Sequence, residues 1–158
     1  MQPPNETSPL ADWLSWQERL HPRSIALGLE RVTAVAKRLQ LTPSAIRTLT
    51  VAGTNGKGSS SSLLAEIYRA AGYSVGLYTS PHVEAFEERM QVAGQSPSPD
   101  QIVDLVRRVQ VAVRTCESES NPFSPTFFEV TTALAWLFFE SQRAEIVVLE
   151  VGLGGRLD

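Results

Sequence analysis

A strand, a glycine-rich loop and a helix in succession constrain the fold of this chain more than any other feature. Residues 47–52 (RTLTVA) are rich in β-branched side chains and predict a strand, and residues 58–71 then take the apolar spacing of a helix. Gly72 stands where that helix is expected to end, and residues 74–79 (SVGLYT) predict a second strand. Because a strand, a crossover helix and a strand form a βαβ unit, both strands are expected to be parallel.

The remaining segments continue the alternation of helices and strands. Apolar spacing predicts further helices at 10–20, 25–39, 99–116 and 126–141, and further strands at 89–93 and 145–151. Capping boxes are expected at the starts of the last two helices, formed by Ser98 with Gln101 and by Thr126 with Glu129. The pattern predicts an α/β fold, a three-layer domain of the P-loop type with a mainly parallel sheet. We expect residues 1–46 to form an N-terminal helical segment and residues 47–158 to form the first, incomplete part of the α/β domain.

Charge and hydropathy exclude several classes of protein. The net charge of −3 is scattered and no Lys/Arg cluster occurs, so neither nucleic acid nor an anionic membrane is an expected partner. The longest apolar run, residues 133–139, is shorter than the roughly 20 residues that span a bilayer. A single cysteine, Cys116, allows no internal disulfide and fits a reducing compartment. We therefore expect a cytoplasmic protein.

The loop between the first strand and its helix has the composition of an anion site. It comprises Gly53, Thr54, Asn55, Gly56, Lys57, Gly58 and Ser59. The glycines permit close backbone approach, and the loop directs N–H groups to the positive end of the helix dipole. Lys57 adds a full positive charge, and Ser59 adds a hydroxyl. A tight turn with a solvated lysine would explain the Gly-Lys pair alone, but the whole stretch favours phosphate binding.

Three polar residues lie at or just after the ends of predicted strands. The ends of parallel strands commonly form a ligand crevice. Glu150 ends an apolar strand and could hold Mg²⁺, although a solvated acid is the alternative. Ser80 precedes Pro81, so turn chemistry would also explain it. His82 follows directly, and either a ligand contact or simple surface packing would account for it.

Residues 53–59 (GTNGKGS) resemble the ATP loop of the Mur ligase superfamily, which is shorter than the usual phosphate loop. The Lys-Gly-Ser sequence at 57–59 resembles the folate branch of that superfamily. Other stretches resemble the same branch: 21–31, LYTSPH at 77–82, ERM at 88–90, TFFE at 126–129 and EVGLGGRLD at 150–158. The resemblance runs from about residue 8 to the end and is best to the bacterial bifunctional dihydrofolate synthases/folylpolyglutamate synthases.

The resemblance implies an ATP-dependent, ADP-forming ligase. ATP would phosphorylate a substrate carboxylate, and the amine of L-glutamate would attack the acyl phosphate. The implied substrates are dihydropteroate, reduced folates and L-glutamate, the implied cofactors are ATP and Mg²⁺, and a monomer is expected. A C-terminal ligase domain would be absent, so we expect the isolated chain to be an inactive fragment.

The resemblance also assigns residue roles. Lys57 is the implied catalytic residue, the loop at 53–59 binds nucleotide, and Ser80 and Glu150 hold Mg²⁺. The implied substrate-binding residues are Ala26, Leu27, Gly28, His82, Thr126, Phe127, Phe128, Glu129, Leu157 and Asp158. The folate branch often has Asp at the position of Ala26. The alanine of this chain lacks the hydrogen-bonding group that is expected to contact the pterin.

Alternative functions remain open on the sequence. A P-loop kinase-like phosphotransferase would share the first βα unit but would leave phosphate on its product. A non-catalytic fragment that binds nucleotide is a second alternative. The glycines at 152–155 suggest a dinucleotide fingerprint, but its third glycine is replaced by Leu157.

Overall fold

The computed structural model describes residues 4–5, 7–19, 28–42, 45–118 and 123–155. Over these residues the helices are α1 (Leu10–Glu18), α2 (Glu30–Arg38), α3 (Lys57–Ala70), α4 (Pro99–Glu117) and α5 (Phe127–Ser141). The strands are β1 (Arg47–Val51), β2 (Val75–Tyr78), β3 (Met90–Val92) and β4 (Ile146–Glu150). The predicted elements are confirmed to within a few residues, except that α2 begins at Glu30 rather than at residue 25. Residues 25–27 lie outside the described residues, and a short 3-10 helix, Phe86–Arg89, was not predicted.

The chain divides into two compact units. The first comprises residues 1–41 and 98–134, and the second comprises residues 42–97 and 135–158. The boundary falls inside α5, between Leu134 and Ala135. The two units are defined by which residues pack together. They do not test the domain boundary expected after residue 46, and that boundary stays a prediction.

The second unit contains a four-stranded sheet in the order β1-β4-β2-β3. Strand β4 pairs in parallel with both β1 and β2, whereas β3 pairs with β2 in the antiparallel sense. The predicted mainly parallel sheet is therefore confirmed. Because the three parallel strands end at the same edge, the β1–α3 loop, the residues after β2 and Glu150 all lie at that edge.

Helices cover both faces of this sheet within the second unit. On one face, Ala65 of α3 belongs to a buried cluster with Val75, Leu77 and Val148. On the other face, the intervening Gly76 lies against the ring of Phe139 in the last part of α5. Since successive strand residues point to opposite faces, this arrangement confirms the three predicted layers.

The first unit is helical over its described residues. Helix α4 carries the predicted buried stripe, and both α1 and α2 contact it. Its predicted capping box is confirmed, because the Gln101 N–H donates to Ser98 Oγ at 3.2 Å and the Ser98 N–H donates to Gln101 Oε1 at 2.8 Å. Across the described part of the chain, no helix is both long enough and apolar enough to cross a membrane.

Candidate nucleotide and metal site

The β1–α3 loop presents backbone donors at the start of α3. Gly56 is the N-cap residue and has a left-handed φ of 74°. Residues other than glycine adopt this backbone conformation only at a cost in free energy. The first hydrogen bond of the helix runs from the Ser60 N–H to the Gly56 carbonyl at 3.0 Å. The N–H groups of the first turn have no acceptor within a helix, and no side chain caps this end. The loop thus places the N–H donors of the first helical turn at the positive end of the helix dipole.

Lys57 is the first residue of α3 and is half-buried. A Cβ placed on Gly53 would lie 4.0 Å from Lys57 Cγ, so the lysine stem passes close to the loop backbone. Ser59 is exposed in the same first turn. Lys57 and Ser59 therefore both belong to the helical turn whose N–H groups form the positive end of the helix dipole.

Glu150 connects the ends of two strands to the loop. Its side chain is buried, with the residue 4% exposed, although it carries a carboxylate. The Ser80 backbone N–H donates to Glu150 Oε2 at 3.1 Å. A Cβ on Gly58 would lie 3.5 Å from the same oxygen, so the loop approaches the carboxylate closely. The structure thereby brings together Gly58, Ser80 and Glu150, which are far apart in sequence.

The chemistry of this group fits a divalent cation. A buried carboxylate is costly unless it is paired, and over the described residues its hydrogen bond comes from Ser80 with no basic side chain in salt-bridge range. Mg²⁺ is commonly bound by carboxylates, and a serine hydroxyl also binds it in nucleotide sites. In the described part of the chain, no three His, Cys, Asp or Glu side chains cluster as a ready metal site. Ser80 and Glu150 would therefore supply part of the coordination of such an ion.

His82 is exposed after β2 and is held by two neighbours. The Arg89 Nε–H donates to His82 Nδ1 at 2.8 Å. The imidazole also meets the ring of Phe86 edge-on, with 6.2 Å between centroids. Arg89 is 8% exposed, and its guanidinium lies 5.9 Å above the Phe86 ring centroid.

Glu88 fixes the backbone that follows His82. Its carboxylate accepts the N–H groups of Val83, Glu84 and Ala85 at 2.9, 3.1 and 2.8 Å. These bonds, the one from Val83 first, hold the pKa of Glu88 below its ordinary value. The sequence reasoning gave no role to Glu88 and Arg89, although their Glu-Arg pair contributed to the family resemblance.

The predicted substrate residues at 126–129 form the start of α5. The capping box is confirmed, since the Thr126 N–H donates to Glu129 Oε2 at 2.7 Å and the Glu129 N–H donates to Thr126 Oγ1 at 3.2 Å. The Arg31 Nε–H donates to the same Glu129 oxygen at 3.0 Å. The buried Glu129 Oε1 has no hydrogen-bond partner over the described residues. Sequence reasoning missed the pairing with Arg31.

The other predicted substrate residues are only partly described. Phe127 and Phe128 begin α5 and are half-buried. Gly28 has a positive φ of 129°, and a Cβ there would lie 2.6 Å from Glu30 Oε2. The predictions at Ala26, Leu27, Leu157 and Asp158 lie outside the described residues.

Several curated proteins of similar sequence share one description. The chain is 45% identical over 155 residues to the dihydrofolate synthase/folylpolyglutamate synthase of Escherichia coli strain K12, covering 98% of this chain and 35% of that protein. It is 36% identical over 148 residues to the protein of the same description from Bacillus subtilis strain 168, covering 93% of this chain and 34% of that protein. The chain thus spans about a third of the length of these relatives. A scan against protein-family models gave no match.

Solved structures give the same result for the fold. The Escherichia coli FolC protein in complex with DHPP and ADP matches with a TM-score of 0.89 and 44% identity, over 98% of this chain and 36% of that one. A bifunctional folylpolyglutamate synthase/dihydrofolate synthase with Mn, AMPPNP and L-glutamate bound matches with a TM-score of 0.86 and 43% identity, over 99% and 36%. The chain is therefore a homologue of the bacterial dihydrofolate synthase/folylpolyglutamate synthase family and corresponds to the N-terminal part of its members.

Proposed function

We propose that this chain supplies the nucleotide- and metal-binding part of an enzyme that ligates L-glutamate to dihydropteroate and to reduced folates, with hydrolysis of ATP to ADP. The observation that carries the proposal is the meeting of the glycine loop, Ser80 and Glu150 at one sheet edge. Among the solved structures that match most of this chain, one holds DHPP and ADP and another holds Mn, AMPPNP and L-glutamate. Since the chain spans about a third of its relatives, we propose that the activity belongs to a longer chain and that residues 1–158 alone are inactive.

The loop at 53–59 would bind the phosphates of ATP. The first N–H groups of α3 would donate to phosphate oxygens, and Lys57 would balance the charge that develops during transfer. Lys57 is the proposed catalytic residue because its ammonium group would contact the transferred phosphoryl group. The left-handed Gly56 supports phosphate binding by the loop, since it lies directly before the first turn of α3 and its N–H groups.

Ser80 and Glu150 would hold Mg²⁺ at the same edge. When bound, the ion would neutralise charge on the phosphates and orient them. Glu150 is already fixed by the Ser80 N–H, so its carboxylate requires little rearrangement to bind the ion. The hydrogen bond from the Ser80 N–H fixes Oε2 of Glu150, and Oε1 takes no part in that bond.

The proposed reaction proceeds in two steps. The substrate carboxylate attacks the γ-phosphorus of ATP, the bond to the bridging oxygen breaks, and ADP leaves. The amine of L-glutamate then attacks the acyl phosphate, phosphate leaves with the bonding electron pair, and the amine loses a proton. The loop contributes mainly by charge neutralisation and alignment, which are the principal terms in phosphoryl transfer.

The proposed substrate residues are Ala26, Leu27, Gly28, His82, Thr126, Phe127, Phe128, Glu129, Leu157 and Asp158. The strongest structural support is at Glu129, where a buried carboxylate oxygen has no partner over the described residues and could accept an N–H from a pterin ring. Phe127 and Phe128 supply adjacent aromatic rings. We also propose a monomer in the cytoplasm, the compartment expected for an enzyme that consumes ATP.

Measurement of ADP release with and without L-glutamate tests the function. A longer chain that contains residues 1–158 is expected to release ADP from ATP and dihydropteroate only when L-glutamate is present. Residues 1–158 alone are expected to bind ADP or AMPPNP without turnover. Glutamate-independent ADP release by the longer chain, with phosphate retained on a product, would instead indicate a phosphotransferase.

A further inference from the structure

The segment between β2 and β3 is fixed by its own side chains. Glu88 binds three successive backbone N–H groups, and the Thr79 N–H donates to the Arg89 carbonyl at 3.0 Å. The Arg89 side chain is almost fully buried and lies over Phe86. The position of His82 is therefore set by hydrogen bonds and packing within residues 79–89.

The Arg89 contact determines which nitrogen of His82 carries the ring proton. A guanidinium has only N–H donors, so His82 Nδ1 must act as the acceptor of the 2.8 Å bond. A neutral imidazole that accepts at Nδ1 carries its proton at Nε2. The edge-on contact with Phe86 holds the plane of the same ring.

We propose that Arg89 is a positioning residue that makes His82 an Nε2–H donor to an anionic ligand oxygen at this sheet edge. His82 follows Ser80 by two residues, so the donor lies on the segment that also carries the proposed metal ligand. Nδ1 is occupied by Arg89 and Nε2 carries a proton, so neither nitrogen offers a lone pair to a metal ion. His82 thus serves the substrate or the nucleotide and does not coordinate Mg²⁺.

The choice of anion rests on the proposed function. Either a phosphate oxygen of the nucleotide or the carboxylate of the acid substrate could accept the bond. A hydrogen bond to a charged group contributes enough binding free energy for its loss to lower kcat/KM by roughly 10- to 100-fold. Measuring the KM values of ATP and of dihydropteroate distinguishes the phosphate from the carboxylate.

Nitrogen-15 NMR of the histidine rings tests the tautomer directly. The chain has two histidines, His21 and His82, so a His21→Gln variant leaves one set of ring signals. The expected spectrum shows a protonated Nε2 and an unprotonated Nδ1, unchanged when Mg²⁺ is added. A protonated Nδ1, or loss of the Nε2 proton on addition of Mg²⁺, would overturn the proposal.

Two variants of Arg89 test whether that residue sets the tautomer. Arg89→Lys keeps a donor that cannot accept, so the Nε2–H form should persist. Arg89→Met removes the donor, so both tautomers should appear, whereas Arg108→Met on the exposed face of α4 should change nothing. A proton on Nδ1 in Arg89→Lys, or an unchanged ring spectrum in a folded Arg89→Met variant, would refute the role of Arg89.

Kinetics of a longer, active chain test the donor. His82→Phe should lower kcat/KM about 10-fold or more, and Arg89→Met should lower it by less, because part of the His82 population keeps its proton on Nε2. The double variant should lose no more than His82→Phe alone. A rise confined to the KM of dihydropteroate assigns the carboxylate, and a rise confined to the KM of ATP assigns a phosphate. Additive losses would overturn the coupling, while absence of glutamate-dependent ADP release would refute only the proposed ligase.

Discussion

The buried carboxylate of Glu150 accepts the backbone N–H of Ser80 at 3.1 Å and so joins the ends of β4 and β2. The same oxygen lies 3.5 Å from the Cβ position of Gly58, at the start of α3. We propose that this carboxylate binds a cation beside the β1–α3 loop.

Glu150→Gln should abolish most of the metal dependence of nucleotide binding while keeping the fold. Glutamine has the same shape, and its carbonyl oxygen can still accept the Ser80 N–H, but it lacks the negative charge that binds Mg²⁺. We expect the gain in AMPPNP affinity on adding Mg²⁺, measured by calorimetry, to fall by about 10-fold or more. In a longer active chain, kcat should fall by about 10²- to 10³-fold.

Glu145→Gln is the matched control for loss of the negative charge of Glu150. Glu145 lies directly before β4, at the opposite end from Glu150, and its exposed carboxylate accepts the Ser74 N–H at 2.8 Å. Its loss should leave the effect of Mg²⁺ unchanged. Equal effects of the two substitutions would argue against a metal role for Glu150.

Lys57→Met should weaken nucleotide binding through loss of charge at the loop. The methionine keeps the apolar stem that passes Gly53 but removes the ammonium group at the phosphates. Affinity for ATP should fall by about 10-fold or more, and kcat of a longer chain by about 10²-fold or more. The sequence has one other lysine, Lys37 on α2, so Lys37→Met provides the control. Comparable losses in both variants would contradict a specific role for Lys57.

Gly76→Ala should destabilise the sheet by overpacking. A Cβ on Gly76 would lie 2.9 to 3.2 Å from atoms of the Phe139 ring, and Gly76 is paired on both sides in the middle of the sheet. The free energy of unfolding, measured in urea, should fall by about 1–3 kcal/mol. Phe139→Leu should cost less in the Gly76→Ala background than alone, because it removes the contacting ring atoms. Strictly additive effects would show that the two residues are not in contact.

Glu88 should add a pH-dependent contribution to stability. Its pKa lies below the ordinary value of 4.5, chiefly because of the Val83 N–H bond, so the folded state favours the charged form. This stability is present above the unfolded pKa and is lost as the pH falls through the lower folded pKa. The fall in Tm between about pH 6 and pH 3 should therefore be smaller in Glu88→Gln than in the unchanged chain. An equal fall in both would mean that Glu88 does not favour the folded state.

The residue pattern by itself determined the elements, the class of fold and the candidate loop. Helical spacing at 58–71 and β-branched residues at 47–52 and 145–151 reflect local preference and one-sided burial, which depend on nearby residues. The capping box at Ser98 and Gln101 was readable for the same reason, because both hydrogen bonds span three residues. The composition of the loop likewise indicated a candidate anion site.

Only the tertiary structure decided which distant residues meet. Seventy positions separate Ser80 from Glu150, and their contact depends on β4 pairing between β1 and β2. Neither the insertion of β4 nor the contact of Gly76 with Phe139 can be derived from local spacing, since both depend on strand order and on the packing of α5. The bond from Arg89 to His82 is shorter in range, but it requires the unpredicted 3-10 helix that turns Arg89 back toward the end of β2. Local sequence therefore supplied the chemical groups, and long-range pairing placed them together.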